Sequence, residues 1–282
     1  LSHGLSITVN RPVPKQTDFS VNTYSVTSEL QETITKAQTY LAHSTGGDPS
    51  PLQSALEVAM SLTSDSSDSE KEAALQTLRE CMQTFVLEAE PTDDIAFDVT
   101  FLIKNPSFSS SAEGWSIAPT VNFGEAEIFN KTFNLYQTLK EMRCGLYRLN
   151  VTGFHRNGNY QPGIEKEGNA GCAIYGNQTE QPLLSLYYDE EARQFNQTGG
   201  YANSMQEAQQ IFDKGFYTDN QVVFEQEEDG NMVIGLKNNN SRNANWTCFR
   251  NFTLEYLGKN TGGRIVGTFR ISSPQMSNTG SW

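Results

Sequence analysis

Apolar positions change their spacing twice along this chain. Leu5, Ile7 and Val9 alternate with polar residues, the period of a short strand, and Arg11-Pro-Val-Pro interrupts them. Residues 1–26 therefore read as an extended N-terminal arm. The period then turns helical. Thr27 or Ser28 can cap a helix that puts Leu30, Ile34, Ala37 and Leu41 on one face and stops at Gly46-Gly47. A second helix starts near Pro51, whose fixed φ suits a first turn, and carries Leu52, Ala55, Leu56, Ala59 and Met60. The polar run Ser64-Asp-Ser-Ser-Asp-Ser69 ends in a cap, and a third helix carries Ala74, Leu78, Cys81, Met82 and Phe85. Short amphipathic helices with polar connections predict a small antiparallel three-helix bundle over residues 27–90.

From Asp93 the period is two. Strands are expected at Phe97–Ile103, Glu125–Phe129, Phe133–Leu139, Leu146–Phe154, Gly171–Tyr175, Leu183–Tyr187, Gln221–Gln226, Asn231–Leu236 and Cys248–Leu257. Glu228-Asp-Gly-Asn231 between two apolar runs reads as a hairpin turn. One helix interrupts the strands. Ser204-Met-Gln-Glu207 is a capping box, Ala208, Ile211 and Phe212 give an apolar face, and Gly215 ends it. It is expected to cover one end of the strand region. The fold class is thus α+β by segregated domains, with the bundle followed by an antiparallel β-sandwich (jelly roll) over 93–258. A tail, 259–282, holds Ile265, Gly267, Phe269 and Ile271, a last strand or a partner for the N-terminal arm.

Composition narrows the partners. The 282 residues are 37% hydrophobic, enough for a sizeable core, and the net charge is −13. An acidic surface excludes nucleic acid and anionic membrane as partners, since both need a basic footprint. No segment approaches the ~20 apolar residues of a membrane span. A start at Leu1 without Met fits a processed, exported chain. Cys81, Cys144, Cys172 and Cys248 form no C-x-x-C, which argues against zinc. A Cys144–Cys172 disulfide is one pairing open in an oxidising compartment. Asn130, Asn150, Asn177, Asn196, Asn245 and Asn251 each open an Asn-x-Thr triplet.

Several segments resemble exported gut-bacterial proteins, of adhesin type, that join a FIVAR-like helical bundle to a galactose-binding-like jelly roll. The resemblance lies in Phe101-Leu-Ile-Lys-Asn-Pro-Ser-Phe108 with Gly114-Trp115 and in Phe133-Asn-Leu-Tyr-Gln-Thr-Leu139 with Gly145-Leu-Tyr-Arg-Leu-Asn-Val-Thr-Gly-Phe154. It continues through Tyr201-Ala-Asn-Ser-Met205 and Asn245-Trp-Thr-Cys-Phe-Arg-Asn-Phe252 with Leu254. It implies export to the periplasm, cell surface or medium, and a carbohydrate-binding fold. Such jelly rolls often hold a structural calcium. Asp98, Asn105 and Glu255 are the oxygen donors weighed for one; the metal set is otherwise unassigned. Where the family commonly has Asp, this chain has Arg250, so that acid's role is not carried over.

No catalytic residues are assigned. Of the three histidines, His155 alone adjoins a strand end, and the acidic runs 189–191 and 225–229 read as solvated loops. Sugars are bound by aromatic faces and planar polar groups. Trp115 and Trp246 sit in fold-defining motifs and read as core, and Tyr188 and Trp282 are further aromatics. Tyr160, in the Gly- and Asn-rich loop 157–163, together with Tyr201 and Asn203 at the inserted helix and His155 and Arg156 at the strand end, form the predicted ligand site. The expected function is a non-catalytic carbohydrate-binding or adhesive module, with a glycan or a surface protein as partner and no cofactor. A structural, protein-interaction component of a surface assembly is the alternative, and a carbohydrate-active enzyme the third reading.

Overall fold

The computed structural model describes residues 26–92, 94–161, 171–196 and 199–259. The expected arm, the 265–271 strand, Gly163 and Trp282 lie outside these residues. Three helices come first: α1 (Val26–Ala42), α2 (Ser50–Ser61) and α3 (Asp68–Glu88). Their faces meet through Leu30, Ile34, Ala37, Leu52, Leu56, Leu75 and Leu78, all buried. Ser67 caps α3: its hydroxyl accepts from Glu70 N–H and Glu70 Oε2 accepts from Ser67 N–H at 2.8 Å, satisfying two end donors reciprocally. Met60, placed by its spacing on the apolar face of α2, is instead 55% exposed in the last turn of that helix. Two-residue strands β1 (Ser44–Thr45) and β2 (Glu90–Pro91) pair and tie the helices' connections together.

The described residues that follow form mainly a pair of antiparallel sheets, so the fold is mixed α+β. In order come β3 (Phe97–Asp98), β4 (Thr120–Asn122), β5 (Glu125–Phe129), β6 (Phe133–Met142), β7 (Gly145–Arg156), β8 (Cys172–Gly176) and β9 (Thr179–Pro182). Then follow helix α4 (Met205–Phe212), β10 (Gln221–Gln226), β11 (Gly230–Asn238) and β12 (Trp246–Gly258). One sheet runs β10-β7-β12-β5-β4, with β3 beside β12, and the other runs β6-β11-β8-β9. They pack face to face. Leu149, Val151, Phe224 and Phe249 of the first share a core with Leu135, Ile174, Ile234 and Leu236 of the second. The approach is close at Gly176, where an added Cβ would fall 2.3 Å from the Phe224 ring.

Two expected strands and one expected turn change form. Phe97–Ile103 is a two-residue strand followed by a 3-10 turn at Thr100–Leu102. Leu183–Tyr187 makes only a parallel bridge between Ser185 and His155; Leu184, Leu186 and Tyr187 pack into a second core, and Leu183 into the core between the sheets. The turn at 228–231 is no hairpin. It joins β10 of one sheet to β11 of the other and forms a corner between the layers.

That second core corrects the role given to the inserted helix. Phe154, Trp246 and Cys248 point outward from the first sheet and are covered by Leu186, Tyr187, Tyr201, Ile211, Phe212 and Tyr217. The insertion therefore blankets the outer face of this sheet, and not just one end. Double coverage explains why β7 is buried at nearly every position while β6 alternates along most of its length.

The helices are continuous with the sheet core. Tyr40 and Phe97 rings lie 4.8 Å apart, and Asp98 N–H donates to Tyr40 Oη at 2.9 Å. Arg143 donates to Val86 O at 3.0 Å and lies 3.6 Å over the Tyr256 ring, whose hydroxyl donates to Glu90 at 2.8 Å.

The four cysteines are free. A Cys144–Cys172 bond is excluded by placement. Cys144 precedes the start of β7, whereas Cys172 lies beside Thr247, the cross-strand partner of His155 near the other end of β7. The donors weighed for calcium are engaged elsewhere. Asp98 pairs with Lys36 at 2.7 Å, Glu255 with Arg148 at 2.9 Å, and Asn105 donates to Glu113 O at 2.8 Å. Among the described residues no three His, Cys, Asp or Glu side chains gather as a metal set.

Candidate functional site

The far end of β7 from the helices gathers three loops. Arg156, the last residue of the strand, is the clamp. Its Nε donates to Gly158 O at 3.0 Å, Nη1 to Asn203 Oδ1 at 2.5 Å and Nη2 to Ala244 O at 3.3 Å. One guanidinium thus holds the loop after β7, the loop before α4 and the loop before β12, using its planar fork. Its lower side lies 5.2 Å over the Trp246 ring. Ala244 has φ +61, rare for a residue with a side chain, and is held by this bond and by its N–H to Asn130 Oδ1 at 2.6 Å. Asn240 Nδ2 adds a bridge to Asn157 Oδ1 at 2.9 Å.

The five residues predicted for the ligand site are brought to this end, but they play different parts. Asn203 is exposed and Tyr160 is half-buried. Tyr160 lies against the segment that opens at Gly199, where a Cβ on Gly200 would stand 2.9 Å from its hydroxyl. Tyr201 is 1% exposed and packs edge-on against Tyr187, with centroids 5.1 Å apart, so it offers no stacking face to a ligand. His155 is fully buried between the sheets, with Nδ1 2.8 Å from Thr247 Oγ1. Burial, reinforced by the neighbouring Arg156 charge, lowers its pKa to about 4, so it is a neutral core imidazole. Arg156 is 5% exposed and makes three hydrogen bonds to the surrounding loops. These three hold the end together. Trp115 and Trp246 are core residues, 8% and 3% exposed.

Sequence reasoning missed the third loop. Residues 239–245 supply Asn240, Arg242 and Asn243 beside Asn157 and Gly158, and their amide density was the signal available. It also missed Asn220, fully buried. Its Oδ1 accepts from Leu184 N–H at 2.7 Å, and its Nδ2 donates to Gly153 O at 2.8 Å and Tyr217 O at 2.9 Å. Asn220→Ala would strand those backbone groups and is expected to cost about 3 kcal/mol, read as a shift in the urea midpoint at constant slope.

A separate buried group lies beneath α4. Glu125 is fully buried, and Cys248 donates its thiol to Glu125 Oε1 at 3.2 Å. Burial pushes the Glu125 carboxyl up to about 8, partly opposed by that bond and by the Arg250 charge. Arg250 pairs at 2.7 Å with Asp213 from the end of α4.

No protein-family model matches the chain, and no curated protein matches it.

Proposed function

We propose that this chain is an exported, non-catalytic carbohydrate-binding or adhesive module, in which a jelly roll of galactose-binding type is fused to a FIVAR-like bundle. The observation that supports it most is the convergence of three amide-rich loops on Arg156, which leaves Tyr160 and Asn203 at the surface of one end. A half-buried tyrosine ring beside several carboxamides offers a face for sugar C–H groups and paired donors and acceptors for hydroxyls. A clamp that fixes the loops before binding lowers the ordering cost that otherwise weakens glycan recognition.

The test is a glycan array with the full chain, followed by titration of the best hit. Tyr160→Ala should weaken binding by about 1–2 kcal/mol in a protein that still folds, as its circular dichroism would show, while Tyr160→Phe, which keeps the ring packed on the second core, should hold the melting temperature. Unchanged affinity in Tyr160→Ala and Asn203→Ala together would refute the loop-end site. Absence of any hit would refute the reading as a whole.

A further inference from the structure

Helix α4 is fastened to the outer face of the first sheet by two arginines, one at each end. At its start Asn203, next to the capping residue Ser204, accepts from Arg156 at the end of β7. At its far end Asp213 pairs at 2.7 Å with Arg250 of β12, whose guanidinium also lies 5.4 Å from the centre of the Phe212 ring. Between these fastenings Ala208, Ile211 and Phe212 share the second core with Cys248. The helix has 8 residues. That is fewer than the ~12 an isolated helix needs in water, so its place depends on the face it packs on and on its two ends.

The two fastenings are unequal. Arg156 spends three N–H groups on the loops around it. Arg250 keeps a buried Nε with no partner. Glu125 of β5 has the complementary defect: its Oε1 accepts from the Cys248 thiol at 3.2 Å, and its Oε2 is buried with no partner. Glu127 pairs with Cys248 across the strands, Glu125 lies two residues before Glu127, and Arg250 two residues after Cys248. The alternation of a strand puts all four on the face that α4 covers. The charged and titratable groups around Glu125 are Glu127 of its own strand, Cys248 and Arg250 of β12, and Asp213 of α4. Glu127 is taken by the Trp246 indole N–H. Arg250 is the cation of the set, and it is committed to the half-exposed Asp213.

We infer that Glu125, Arg250 and Asp213 form a pH-operated latch for the C-terminal end of α4. While the Glu125 carboxyl carries its proton, Arg250 is left to Asp213 and the helix is closed on the sheet. Once that proton passes to solvent, a buried carboxylate needs a counter-charge and a donor for Oε2, and Arg250 can supply both. The carboxylate draws Arg250 off Asp213, and the last turn of α4 lifts. Lifting bares the Cys248 thiol beneath it. The other end stays fastened, because the Ser204 cap and the Asn203–Arg156 bond do not involve Glu125. The latch is closed in acid and open in alkali. Burial, which raises the Glu125 carboxyl to about 8, sets where it opens.

The test is hydrogen exchange on the full chain at pH 6 and pH 9, corrected for the intrinsic pH dependence of exchange. The reporters are the amides of Asp213, Lys214 and Gly215, which donate to the carbonyls of Gln209, Ile211 and Phe212. Their protection should fall at least tenfold between pH 6 and pH 9, while the amides of β11 hold theirs. In Glu125→Gln the protection should be the same at both pH values. In Asp213→Asn, a change at a half-exposed side chain, it should be low at both. Alkylation at pH 9 gives a second readout: Cys248 should label at least tenfold faster in the parent than in Glu125→Gln, with Cys172, buried between the sheets, unlabelled in both. The proposal is overturned if protection in the parent does not change with pH, if Glu125→Gln loses it equally, or if Asp213→Asn keeps the parent's protection at pH 6. It is also overturned if Cys172 labels along with Cys248, since the sheets would then be opening as a whole.

Discussion

Replacing Trp246 with Ala is expected to destabilise the protein by about 3–5 kcal/mol, the largest single-residue effect foreseen here. Trp246 is buried on the outer face of the first sheet and meets Phe154 edge-on, with centroids 5.0 Å apart. Its indole N–H donates to Glu127 Oε2 at 2.7 Å, and the Arg156 guanidinium rests over its ring. Removing it leaves a cavity in the second core, an unpartnered carboxylate, and a clamp without its platform. Trp246→Phe should recover part of the loss, since it keeps most of the apolar volume and lacks only the donor. Guanidinium unfolding monitored by far-UV circular dichroism reads both. A shift below about 1 kcal/mol for the Ala variant would show that the second core is not the tightly packed structure described.

The second large effect is in the pH dependence of stability. The Glu125 carboxyl is raised from 4.5 to about 8, so folding favours its protonated form. Its stabilisation is complete below pH 4.5 and is lost as pH rises through 8. His155 runs the other way. Its pKa is lowered from 6.5 to about 4, so its contribution is complete above pH 6.5 and lost as pH falls through 4. For these two groups alone, stability peaks near pH 5.5 and falls by roughly 1–2 kcal/mol on going to pH 8. Glu125→Gln removes the first term and leaves the histidine, so stability of that variant should rise by roughly 1–2 kcal/mol over the same interval. The sign of the slope reverses. Melting temperatures of the two proteins at half-unit pH steps decide the matter; parallel profiles would mean that Glu125 is ionised and solvated in the folded state. Cys248 stays a thiol throughout, because burial and the adjacent carboxyl hold its pKa well above the ordinary value.

Periodicity made the helices readable, because Leu30, Ile34 and Ala37, or Leu75, Leu78 and Met82, recur at a spacing that only a helix can bury together. The strands β5, β6, β10 and β11 were readable for the same reason with period two. What failed was anything set by partners distant in sequence. Leu183–Tyr187 is as apolar as a strand, yet Leu184, Leu186 and Tyr187 are buried in one cluster with Tyr201, Ile211 and Trp246 rather than by ladder neighbours. Glu228-Asp-Gly-Asn231 has hairpin chemistry, but nothing local indicates that β10 prefers β7 and β11 prefers β6 and β8. At the loop end, residue type suggested function for His155, Arg156 and Tyr201. Burial gives them structural work instead: Arg156 is 5% exposed and spends three of its N–H groups on Gly158 O, Asn203 Oδ1 and Ala244 O. Tyr136 was read only as part of a motif. Its outward placement follows from the alternation along β6, whereas its cross-strand partner Gly235 is set by pairing that a single strand does not disclose.

The contact between Tyr40 and Phe97 bears on how the chain can be cut. A fragment beginning at residue 93 would bare Phe97, Val99 and Tyr256 to water, along with the Arg143 group that caps Val86 O. Such a patch on a loose sheet edge invites self-association. Protease nicking between α3 and β3 should therefore yield an aggregating product and not two soluble halves. The smallest piece that evolution or an engineer can shuffle as a cassette is the helices and sheets together.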